Sequence, residues 1–160
     1  MSAKSEALAR EFEAKVQAAL ATLERLGDAD WSKVTEAEQW SVGVTAHHFA
    51  GVLEPITDLV RAVSAARSPG TLRSDMVDRI NAQHAQEHAR CTKAETVELL
   101  RRGAAVAAGV IRGLSPEQLG QKGSVLADAP PMSAEELIRA ALLAHIDQHF
   151  GSIRKTVGHD

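Results

Sequence analysis

Residues 133–157 read SAEELIRAALLAHIDQHFGSIRKTV. Ser133 and Glu136 stand three apart ahead of an apolar run, the spacing of a capping box that opens a helix. Ile138, Leu142, His145, His149 and Ile153 follow at intervals of three or four, so they share one face. That face is apolar except for its two imidazoles. The segment reads as a long amphipathic helix running to about Val157.

Upstream of it the same period recurs. Leu8, Phe12, Val16, Leu20 and Leu23 form a stripe over residues 3–26, which Gly27-Asp28 is expected to close. Residues 29–39 read as an irregular connector with at most a turn of helix after Thr35. Trp31 and Trp40 are expected to plug the end of a bundle there. Ser41 caps a second helix to about Ser64, with Phe49, Val52, Ile56, Leu59, Val60 and Val63 on one face. Pro55 lies inside it and predicts a kink. After Ser68-Pro69-Gly70, Ser74 opens a third helix with Met76, Val77, Ile80, His84 and His88 on one side. Thr92 and Glu95 are spaced as a capping box, which predicts a break near Cys91. The pattern resumes from Leu99 to Leu114, Ser115 to Gln118 reads as a capped turn with Pro116 first, and residues 120–132 as a loop. The sum is all-α: four long helices, the third interrupted, without a sheet, in one antiparallel bundle over residues 1–160.

Composition agrees. Hydrophobic residues are 44%, charged 24% and aromatic only 3%, which fits neither a disordered chain nor the β-branched and aromatic habit of a sandwich. A net charge of −3 with scattered basic residues argues against nucleic acid as a partner. The single cysteine, Cys91, suits a reducing compartment. No apolar leader opens the chain and no stretch approaches a spanning length, so a cytoplasmic protein away from the membrane is expected. Alanine-rich faces point to a homodimer.

Seven histidines are present, and a lone one on a helix is ordinarily a surface or satisfied core residue. His145 and His149 depart from that pattern, because two imidazoles replace aliphatic side chains on an apolar stripe. Left unpaired there, they would cost about 1–3 kcal/mol each, and a shared metal ion removes the cost. On the second helix, the apolar face centres about 70° from His48, which puts His48 on its shoulder; His47 lies about 170° from that centre, towards solvent. The expected metal ligands are therefore His48, His145 and His149, an open three-imidazole set. His84 and His88, a second i,i+4 pair, are expected to line a pocket or support the ligands, as is Asn81 one turn earlier. Cys91 has nothing nearby in sequence to lower its pKa and is read as a small apolar residue.

Three pieces together resemble the DinB-like (YfiT-like) family of metal-binding bundles: Trp40-Ser41 followed by His48, Ile80-Asn81-Ala82-Gln83-His84, and His145-Ile146-Asp147-Gln148-His149-Phe150-Gly151. The resemblance implies a four-helix bundle with a long crossover connection and a divalent metal held at one end by His48, His145 and His149. Some members of that family are S-transferases or isomerases that use mycothiol, bacillithiol or glutathione. The expected function is thus a metal-dependent enzyme acting on a small molecule, with a low-molecular-weight thiol as cosubstrate and zinc or nickel foremost as the ion. Metal-dependent hydrolysis and a non-catalytic, stress-associated metal-binding bundle are the alternatives.

Overall fold

The structure is a computed structural model that describes residues 2–159. Its long helices are α1 (Ala3–Glu24), α3 (Val42–Ser64), α4 (Ser74–Glu87) and α5 (Lys93–Gly113). Single turns form α2 (Asp28–Trp31) and α6 (Pro116–Gly120). The last helix is composite: α7 (Ala134–Ile138), a π-helical turn (Arg139–Ala144) and α8 (His145–Val157). The capping boxes at Thr92/Glu95, Ser115/Gln118 and Ser133/Glu136 all form. Ser41 caps α3 by accepting from the Val44 amide.

Four bodies make the bundle: α1, α3, α5 and the composite helix. Salt bridges from Glu6 and Glu13 to Arg112, and from Glu24 to Arg101, run α1 opposite to α5. α3 and α5 run the same way. Near their starts, the Trp31 ring packs on Gly43 while its Nε1–H donates to the Cys91 carbonyl at 2.9 Å. Ten residues further along each helix, Leu53 meets Gly103. Parallel neighbours need a long crossover, and residues 65–92 supply it. Phe12, Phe49, Leu53, Leu100, Ile111 and Ile138 lie at the centre of the core. The described residues hold no helix long and apolar enough to cross a membrane.

Several expectations are corrected. Gly27 does not close α1: its φ is −87°, and it stands at the N-cap of α2, while Arg25 caps α1. The connector holds a helical turn before Thr35, α2, in addition to the expected turn after it, where the Gln39 amide donates to the Thr35 carbonyl at 3.1 Å. A short antiparallel pair, β1 (Lys122–Gly123) and β2 (Met132–Ser133), ties the 120–132 loop together, so the expected absence of a sheet does not hold. Ser74 begins α4 but does not cap it; Asp128 accepts from the Ser74 amide at 2.9 Å and does that work from across the loop. The apolar stripe of α4 does not enter the core. Met76 is 40% and Ile80 50% exposed, and no residue of α4 is buried. The helix lies outside the bundle, where its period gives it one face without providing a neighbour to cover it.

Candidate metal centre

The connector before α3 carries the first element of the site. Val34 bridges to Ser41, the Thr35 amide donates to the Trp40 carbonyl at 2.8 Å, and Gln39 turns the chain in the left-handed region at φ 59°. That region costs a non-glycine residue roughly 1–2 kcal/mol. Here it sets Glu38 and Trp40 facing the bundle. The Trp40 ring lies 5.2 Å from the ring of His48, and the Glu38 side chain is 6% exposed.

α3 supplies His48, and α8 supplies His145 and His149 on one face of successive turns. The three rings converge, with centroids 5.5 Å (His48–His145), 5.1 Å (His48–His149) and 4.5 Å (His145–His149) apart. One ligand atom from each lies within 4.8 Å of the others. His48 is 3% and His149 5% exposed, while His145 is half-buried.

Hydrogen bonds assign the tautomers. Nδ1–H of His145 donates to the Ala141 carbonyl, inside the π-helical turn, at 3.2 Å. Nδ1–H of His149 donates to Glu38 Oε1 at 2.8 Å, and Glu38 Oε2 accepts from the Ser152 hydroxyl at 2.7 Å. Both Nε2 atoms are then bare acceptors, and they face each other at 2.8 Å. Two lone pairs at that distance repel unless a cation lies between them. Nδ1 of His48, meanwhile, is buried without a partner. The donor set fits a divalent ion.

His48 and His145 are held neutral and ready to ligate at pH 7. Burial, then the His149, His145 and His84 rings, pushes His48 down to about 3. Burial, then His149, pushes His145 down to about 4. Burial raises the Glu38 carboxyl, but hydrogen bonds from Ser152, Thr35 and His149 outweigh it and hold Glu38 below the usual carboxylate value. Burial pushes the Cys91 thiol up, so it stays protonated.

Of the residues expected to act, His48, His145 and His149 are brought together. His84 and His88 lie beside them on α4, and Asn81 is half-buried one turn away. His47 is not solvent-facing: it is 9% exposed, with Nδ1 2.8 Å from His84 Nε2. The buried face of α3 is Val42, Ala46, Phe49, Leu53 and Val60, rotated from the face the wheel favoured. It centres about 130° from His48 and, on the other side, about 130° from His47. Both histidines are thus shoulders, one covered by α8 and the other by α4. Glu38 was missed altogether. It stands 111 residues from His149 in the chain, in a stretch without periodicity.

Outer-shell carboxylates that hold a ligating imidazole typically carry a factor of 10–100 in metal affinity. Glu38→Gln should therefore weaken metal binding at this trio about 10–100-fold, with the helical spectrum unchanged. Competition against a chelator of known affinity measures it.

The family profile described as the mycothiol maleylpyruvate isomerase N-terminal domain matches residues 12–145. The fold is similar to the crystal structure of the mycothiol-dependent maleylpyruvate isomerase, with a TM-score of 0.73 at 13% sequence identity. That likeness covers 94% of this chain and 59% of the other, so the chain spans about three fifths of the length of that structural relative. No curated protein matches the sequence. The chain belongs to the mycothiol maleylpyruvate isomerase N-terminal domain family, a DinB-like group of helical bundles.

Proposed function

We propose that the chain is a divalent-metal-dependent enzyme that uses a low-molecular-weight thiol on a small electrophilic substrate. The observation that carries the reading is the pair of bare Nε2 atoms of His145 and His149 at 2.8 Å, beside the partnerless buried Nδ1 of His48. His48, His145 and His149 would hold the ion. Among the described residues that cluster contains three ligand side chains and no fourth, which favours an open, catalytic type of site over a closed structural one. An ion held there would supply stabilisation of a thiol as its nucleophilic thiolate near neutral pH.

The chain's own residues prepare the place. Glu38 and the Ala141 carbonyl fix the two α8 rings by their Nδ1 protons, leaving Nε2 free. Phe49, fully buried, stands edge-on to the His145 ring at 5.5 Å and excludes water behind it. Trp40 walls the His48 side. The family and the structurally similar isomerase are both named for mycothiol, which supports a thiol as the cosubstrate class.

The test is thiol consumption against a panel of electrophiles, with mycothiol, bacillithiol and glutathione in parallel, on protein of measured metal content. Turnover that disappears with chelation and returns with added zinc or nickel is expected. Metal-loaded protein that consumes no thiol with any electrophile would overturn the thiol reading.

A further inference from the structure

We propose that His47, His84 and His88 form a second divalent-cation site, built from donors separate from His48, His145 and His149, and that it clamps α4 onto α3. Nδ1 of His47 lies 2.8 Å from Nε2 of His84. The His88 ring stacks on His47 with centroids 4.2 Å apart and lies tilted to His84 at 4.6 Å, and one ligand atom of each residue lies within 4.8 Å of the others. His84 on α4 and His88 at its C-cap are an i,i+4 pair, and His47 projects from α3 towards them.

A satisfied cluster of core histidines does not describe this trio. Among the described residues, the ring nitrogens of the three make a single hydrogen bond, and Nδ1 of His84 is buried without a partner. His84 and His88 are not needed for core packing either, because no residue of α4 is buried and His88 at its C-cap is only half-buried. Imidazole faces at 4.2 Å would repel once protonated, whereas three neutral imidazoles that each bring a nitrogen within 4.8 Å of the others are what a borderline divalent ion selects. Zinc, nickel, cobalt and copper fit such a set; magnesium and calcium, which prefer oxygen, do not. The two trios adjoin without sharing a donor: the rings of His48 and His84 stand 5.6 Å apart, edge to face.

The consequence concerns α4. Its start is tied by Ser74 to Asp128, and Met76 and Ile80 along it face outwards. Its C-terminal end meets the bundle through His84 and His88 against His47. An ion there replaces the missing apolar burial with coordinate bonds, so it fixes the crossover and the side of the first site that α4 covers.

The experiment titrates chelator-treated full-length chain with zinc or cobalt and counts bound ions by elemental analysis after dialysis. Two ions per chain are expected, falling to one in His88→Ala, to one in His145→Ala, and to none in the double variant. His88 is the half-buried C-cap of α4, outside the core, so the variant is expected to fold, which its helical spectrum checks. Hydrogen exchange gives a second readout: zinc should slow exchange of the amides of residues 74–87 in His145→Ala but not in His88→Ala. Equal metal content in wild type and His88→Ala, or zinc-independent exchange across α4 in His145→Ala, would overturn the proposal. Failure of the functional reading looks different: His145→Ala would keep the wild-type metal content while His88→Ala lost an ion.

Discussion

His145→Ala should remove one bound divalent ion per chain and lower metal-dependent thiol turnover by more than about a hundredfold, with the fold intact. The expectation follows from the geometry of α8. The His145 ring supplies one of two bare Nε2 atoms 2.8 Å apart, and its Nδ1 proton is already committed to the Ala141 carbonyl. Losing that ring leaves only His48 and His149, with ring centroids 5.1 Å apart, as an incomplete set. Because His145 is half-buried rather than central to the core, the cost in stability should be modest beside the cost in binding. His48→Ala should reproduce the metal loss. His47→Ala should leave the His48–His145–His149 set loaded, since His47 faces α4 and pairs with His84. Elemental analysis, with cobalt absorption as a check on coordination, measures all three. Unchanged metal content in both His48→Ala and His145→Ala would end the assignment.

Phe49→Ala should destabilise the chain by about 3–5 kcal/mol, the usual cost of deleting a buried aromatic ring. For a chain of this size that corresponds to a fall in Tm on the order of 10 °C. Phe49 is fully buried and meets the Phe150 ring at right angles with centroids 6.1 Å apart, and the His145 ring at 5.5 Å. The cavity would open directly behind a proposed ligand, so metal affinity should fall together with Tm. Ile80→Ala is the contrasting variant. It removes a large aliphatic side chain from a helical stripe, yet Ile80 is 50% exposed, so its effect should stay within about 0.5 kcal/mol. Thermal melts of the two variants test whether burial, rather than periodicity, sets the energy. A large loss in Ile80→Ala would show that α4 packs more deeply than the structure places it.

The last helix was readable because its determinants are local. A capping box closes over three residues, and an apolar stripe needs only the helical repeat, so Ser133, Glu136, Ile138, Leu142 and Ile153 sufficed to place it. The boxes at Thr92 and Ser115 located the starts of α5 and α6 for the same reason. His145 and His149 share a face by spacing alone. The π-helical turn over Arg139–Ala144 was not readable: no residue type there marks it, and it is recognised by the extra residue it holds in the turn before His145.

A segment's own residues settle which of them lie side by side; other segments settle what covers them. Local pattern alone therefore specified the helical bundle, three capping boxes and the pairing of His145 with His149. Packing between elements specified that α8 covers one shoulder of α3 and α4 the other, so that both His48 and His47 are buried. The same packing carried Glu38 to His149 across 111 residues and left the apolar stripe of α4 facing outwards. Periodicity records the direction in which a side chain points from its own helix. Burial and ligation are sums over neighbours brought by other elements, and a chain read one segment at a time does not contain them.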